Sequence, residues 1–248
     1  MSTVYEKVKS YFRGRKVYQA LKSNPVLLKI NQHYRNNAVN AKRESVQAYG
    51  YESLLLMKDA FTSLELDFWL DYGTLLGAIR EKDFIGHDYD IDVGTYYTNA
   101  EDAKRLAELL KEKGFEKARE FLIDGNIVEE TYIYKGVNVD VYYYHKGENH
   151  VFCYACEEGE HTVYQETPEY TFVTKLTVKK VKSTFTGLVL IDFKGNSFPI
   201  PESYDQYLKD NYGETYMVPN PNWDWTKEVE TEILPFNENT KAYLFHLK

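Results

Sequence analysis

LDYGTLLGAIREKDFIGHDYDIDV, residues 70–93, holds three aspartates two residues apart: Asp88, Asp90 and Asp92. On a strand, steps of two put all three carboxylates on one face. Tyr89, Ile91 and Val93 then point the other way, into a core. Like charges so close repel, and stability alone gives no reason to gather them. A divalent cation removes the conflict. Magnesium takes carboxylate and phosphate oxygens, and manganese is its usual substitute. Just upstream, Gly73-Thr74 ends an apolar run, Leu66–Tyr72, and opens a short helix over Thr74–Arg80. A helix N-terminus presents free N–H groups and a partial positive charge, which suits a phosphate. Gly73 permits close approach, Thr74 offers a hydroxyl, and Arg80 has the reach for a bidentate contact. Tyr72 and Gly77 complete this phosphate-side set.

Such a site needs a further acid. Asp140 interrupts the apolar run Val137–Tyr142, and a buried carboxylate without a partner is costly. Aimed at the same cation as Asp90 and Asp92, it is not. The catalytic set is therefore Asp88, Asp90, Asp92 and Asp140, with Asp90, Asp92 and Asp140 as metal ligands.

Working outward, residues 1–23 have the spacing of a short basic amphipathic helix (Val4, Val8, Tyr11, Phe12, Tyr18), punctuated by Asn24-Pro25. Residues 26–67 read as helix, with Leu54, Leu55, Met57, Ala60, Phe61 and Leu64 as the core stripe. Tyr89–Val93 alternates as a strand does. Asn99 caps a helix over Ala100–Lys113, stopped by Gly114. Phe115–Leu122, Ile127–Lys135 and Val137–Tyr144 read as strands joined by hairpins at Asp124-Gly125 and Gly136. Residues 145–198 are strand-like and irregular, and a short helix covers Tyr204–Asn211. This order gives an α/β (α+β) fold: a mixed sheet with helices packed on it. The expected division is a basic helical extension over 1–50, a catalytic domain over 51–225 and a packed tail over 226–248. No Gly-x-Gly-x-x-Gly or Walker loop is present.

The chain has 248 residues, 43% of them apolar, so one sizeable core is expected. Of its net charge of −8, residues 1–43 carry ten Lys/Arg against Glu6, a local +9; the remainder carries twenty Lys/Arg against thirty-seven acids, −17. A basic arm on an acidic body suits either anionic lipid head groups or a plain solvated face. The acidic body argues against nucleic acid. There is no membrane span and no secretory h-region in the sequence, and two cysteines make no disulfide framework. The expected location is cytoplasmic, at the inner face of the membrane if the arm binds lipid. Cys153-x-x-Cys156, near His145, His150 and His161, has zinc-ligand spacing; two reduced cysteines in a hairpin is the plainer reading.

The segment Leu70–Arg80 followed by Asp90-Ile91-Asp92 resembles the LicD/fukutin family of phosphotransferases, within the nucleotidyltransferase superfamily. Val139-Asp140-Val141 matches that family's third acid. Phe198-Pro199-Ile200-Pro201, Tyr207-Leu208, Tyr212-Gly213 and Pro219 resemble its late segment, so coverage runs over about 52–222. Two departures stand out: Gly86-His87 replaces the usual Pro-Trp, and Tyr89 replaces the middle Asp of an unbroken acidic run. The resemblance implies transfer of phosphocholine, or a related phospho-alcohol such as ribitol phosphate, from a CDP-linked donor (CDP-choline first) to a sugar hydroxyl of a cell-surface glycan. It implies Asp140 or Asp88 as the proton acceptor. The alternative is a nucleotidyltransferase that joins NMP from an NTP to a small acceptor; a third is a binding module that keeps the fold without the chemistry.

Overall fold

The computed structural model describes residues 25–220, 223 and 229–247, with side chains of the first helix from residue 37 onward. The helix expected over residues 1–23 lies outside the described residues. Helix α1 starts at Pro25, where a proline costs no helical hydrogen bond, and runs unbroken to Ser63 (Pro25–Ser63). It passes straight through residue 50. Val46, Leu54, Met57, Ala60 and Phe61 are fully buried along it; for the larger four, removal from water is worth roughly 1.5–3 kcal/mol each.

Strand β1 (Phe68–Leu70) is shorter than the apolar run suggested, because Asp71 ends it and caps α2 (Tyr72–Arg80). The helix therefore opens two residues before Thr74. Strand β2 (Asp90–Tyr96) follows, then α3 (Ala100–Glu112), capped by Asn99 as expected. Asp88 is not in the strand: its N–H closes a turn onto the Ile85 carbonyl at 2.9 Å.

Strands β3 (Glu116–Ile123), β4 (Asn126–Tyr134) and β5 (Val137–Lys146) form two tight hairpins. Both turns pair two left-handed residues, Asp124-Gly125 at φ 51° and 83° and Lys135-Gly136 at 47° and 84°. That is the twist-matched turn that favours glycine second. The irregular region resolves into β6 (His150–Glu157), β7 (Val163–Glu166), β8 (Tyr170–Thr174), β9 (Thr177–Thr184) and a separate hairpin of β10 (Leu188–Phe193) and β11 (Asn196–Pro201). Helix α3 is followed much later by α4 (Tyr204–Tyr212).

Among the described residues the main sheet has eleven strands, in the order β12 (Thr231–Ile233)-β9-β6-β5-β4-β3-β13 (Thr240–Phe245)-β8-β7, with β1 and β2 joined at β5. Every pairing in it is antiparallel except β2 with β5. The molecule is thus a mixed α/β fold with a largely antiparallel sheet. The C-terminal segment contributes two of the strands, β12 (Thr231–Ile233) at the edge and β13 (Thr240–Phe245) between β3 and β8. It is part of the sheet. No helix among the described residues is long and apolar enough to cross a membrane.

Candidate active site

The parallel pair fixes the acids. Asp92 on β2 is the register partner of Asp140 on β5, and Asp90 is the partner of Asn138. The row continues: Asp140 is opposite Thr131 on β4, and Thr131 is opposite Arg119 on β3. Four side chains therefore stand in line across four strands on one face. Asp140 Oδ1 accepts from the Thr131 hydroxyl and from Arg119 Nη2 at 3.3 Å, while Arg119 Nε donates to Thr131 Oγ1 at 3.0 Å.

Above the row lies the start of α2. Gly73 N–H donates to Asp92 Oδ2 at 3.1 Å, and the Asp92 N–H donates to Thr74 Oγ1 at 2.9 Å. Thr74 is buried; its hydroxyl straps α2 to β2. The helix N-terminus holds an anion, and in this structure the anion is Asp92. A Cβ on Gly73 would lie 2.5 Å from Asp88 Oδ2 and 3.4 Å from Asp92 Oδ2. So Asp88, though off the strand, converges with Asp92 over the bare α-carbon. Gly77 serves packing: a Cβ there would meet the Asp83 carbonyl at 2.6 Å and the Ile85 nitrogen at 3.1 Å.

Asp71 anchors the turn from beneath. It is fully buried, accepts from Tyr72 N–H at 2.8 Å, and receives the hydroxyls of Tyr207 and Tyr144, each at 2.7 Å. Burial raises its carboxyl to about 6 in spite of those three donors. Tyr72 carries a positive φ of 33° and donates or accepts at Cys153 Sγ, 3.3 Å away.

The electrostatics are those of crowded acids. Burial, then the charges of Asp140 and Asp88, push Asp90 up to about 7. Burial and the charges of Asp90, Asp140 and Asp88 hold Asp92 well above the usual carboxylate range. Asp88 is raised by burial, against the pull of His87, Arg80 and Arg43. Glu129, two residues from Thr131 on the same face, is raised to about 7 by burial and by Asp140. Glu129 and Arg119 were not singled out in the sequence.

These groups line one cleft of about 430 Å³, with Tyr72, Tyr142, Tyr212 and Trp223 as its aromatic wall. Tyr72 meets Tyr142 edge-on at 4.9 Å between ring centres, and Tyr212 lies 4.7 Å from Trp223. A smaller side cavity of about 230 Å³ shares Gly73, Asp88, Tyr212 and Trp223 with it and adds Arg80 and His87. Arg80 is turned within that cavity: Nη1 donates to the Tyr216 carbonyl at 3.0 Å and Nε to Glu81 at 2.9 Å.

Among the described residues no three His, Cys, Asp or Glu side chains stand as a closed metal-binding group. Asp92 and Asp140 each have an oxygen engaged by protein donors. The chemistry of the acid row nonetheless fits a hard divalent cation: carboxylate oxygens, mutually repelling and partly buried. The four candidate zinc residues are not brought together. Cys153 is buried against Tyr72, Cys156 lines the cleft, His145 stacks on Phe152 at 5.1 Å and His161 meets Phe236 edge-on at 4.9 Å. Three residues apart on β6, the two thiols leave opposite faces. Burial raises both thiols to about 12.

The strand-borne acid row faces the Gly73-Thr74 start of α2, and the motifs that carry this geometry are those of the family resemblance. The sequence agrees: residues 65–203, more than half of the chain, match the family described as LicD/FKTN/FKRP, nucleotidyltransferase domain, and the chain belongs to that family. It is 24% identical over 201 residues to the ribitol-5-phosphate transferase FKTN of Homo sapiens and to that of Macaca fascicularis, covering 80% of this chain and 39% of either relative. The Mus musculus protein of the same name is 24% identical over 197 residues, 79% of this chain and 39% of its own length. The chain thus spans about two-fifths of the curated relatives it matches.

Proposed function

We propose that this protein transfers a phospho-alcohol from a CDP-linked donor to a sugar hydroxyl of a glycan, with a divalent cation held at the acid row. The observation that carries the reading is the register pairing of Asp92 with Asp140 beneath the N-terminus of α2. The names of the relatives favour ribitol 5-phosphate as the transferred group; phosphocholine is the other alcohol considered.

Asp90, Asp92 and Asp140 would hold magnesium, or manganese in its place. When bound, the ion supplies charge neutralisation for a diphosphate and polarises its phosphoryl oxygens. The protein's own residues do the rest by positioning and electrostatics, which dominate phosphoryl transfer. The Gly73 N–H, which donates to Asp92 Oδ2, would be available to a donor oxygen were Asp92 to serve as a metal ligand. Arg119 holds Asp140 in place and adds a positive charge at the cleft. Asp88 stands at the junction of the two cavities, its basicity raised by burial, and is assigned as acceptor of the sugar hydroxyl proton. The aromatic wall would take the base or the acceptor ring.

The test is product analysis. CDP-ribitol or CDP-choline with a sugar acceptor should yield CMP in a magnesium-dependent manner, and Asp92→Asn should lose about a thousandfold or more of that rate while keeping its fold. Release of pyrophosphate from an NTP, with no CMP from either CDP donor, would replace this reading with nucleotidyl transfer.

A further inference from the structure

The family match begins at residue 65, yet α1 reaches the acid row from outside it. Lys42 and Arg43 are half-buried on α1. Arg43 Nε donates to the His87 carbonyl at 2.8 Å, which pins the turn that carries Asp88 to the helix. The Lys42 ammonium lies over the Tyr89 ring at 5.9 Å from its centre. It feels the charges of Asp90 and Asp140, and also the repulsion of Arg119, while burial lowers its pKa. Among the described residues no ion pair joins it to a carboxylate. It is a partly desolvated cation that feels two acids of the row, Asp90 and Asp140, and is paired with neither.

We infer that α1 completes the active site, with Lys42 as a binding residue for the donor diphosphate and Arg43 as its positioning partner. The inference rests on the proposed function above. An ammonium is a compact point charge with three donors, suited to phosphate oxygens. Left without phosphate, it partly offsets the acid row; it therefore opposes a metal ion entering alone and favours one arriving with a diphosphate. That gives opposite signs for two ligands, which simple packing does not.

The experiment is calorimetric titration of the full chain and its Lys42→Met and Lys42→Arg variants, first with MnCl2 alone, then with CDP in saturating MnCl2. Lys42→Met should bind Mn2+ more tightly, by several-fold, and CDP more weakly, by roughly 10- to 100-fold, the range for a hydrogen bond to a charged group. Lys42→Arg should keep most of the CDP affinity. Equal CDP affinity in all three proteins, or Mn2+ and CDP binding weakened together in Lys42→Met, would overturn the assignment. Failure of the unmodified protein to bind CDP with Mn2+ would remove the proposed function itself and the role of Lys42 with it.

Discussion

Asp92 and Asp140 face one another across the one parallel pairing of the main sheet, one oxygen of Asp92 held by the Gly73 N–H and one of Asp140 held by Thr131 and Arg119. The arrangement keeps two repelling carboxylates in place by giving each a donor of its own. It leaves the acid row strained by its own charge, and several expectations follow from that.

Metal-free protein should lose stability as pH rises from about 4 to about 7. Asp90 and Asp71 are raised to about 7 and about 6 in the fold, and Asp92 is raised as well. A folded pKa above the unfolded one means stability that is complete below the unfolded value and is lost as pH climbs through the folded value. Melting curves in EDTA across that range should show the fall, and saturating magnesium should flatten it. A melting temperature that rises steadily to pH 7 in EDTA would contradict the crowding.

Gly73→Ala and Gly77→Ala should part company. At Gly73 the added methyl meets the Asp88 carboxylate, a side-chain end that can swing away. Stability should change little, and turnover should drop by a hundredfold or more because Asp88 and Asp92 are displaced. At Gly77 the methyl meets the backbone of Asp83 and Ile85. That variant should lose about 1–3 kcal/mol, as overpacking does. Melting temperature and kcat, measured on both, check the contrast.

Asp71→Ala removes the cap of α2 and strands the hydroxyls of Tyr144 and Tyr207. The loss should be about 3 kcal/mol, or roughly 6–12 °C in melting temperature for a chain of this size. Asp71→Asn keeps a capping oxygen and cannot ionise. It should retain most of the stability and shrink the fall between pH 5 and 7.

The acid row was legible because strand alternation and buried charge are both visible in DYDIDV and VNVDVY. Its depth was not. Asp92 and Asp140 could be assigned to one site, but their register belongs to the parallel pairing of strands forty-eight residues apart. Arg119 and Glu129 were missed for a more local reason. The β3–β4 pairing slips between Lys117 and Arg119 and again between Phe121 and Leu122. Counting outward from the Asp124-Gly125 turn therefore puts these residues on the wrong face. Asp71 was readable as a helix cap, since an acid directly before a helix is the expected signal. It was overlooked because Gly73-Thr74 drew the boundary. Thr240–Phe245 alternates as a strand, but nothing local says it inserts between β3 and β8. Lys42 lay in a segment whose basic charge pointed outward to a membrane, and only packing turned it toward the acids.

The central claim is that the acid row and the α2 start bind a CDP-linked donor through a divalent cation. Titration of the protein with CDP-ribitol, CDP-choline and CDP-glycerol, each with and without magnesium, tests it most directly. The account expects one donor to bind tightly, only with magnesium, and to lose that binding in Asp92→Asn. Binding of a donor with equal strength in EDTA, or of none at all, would contradict it.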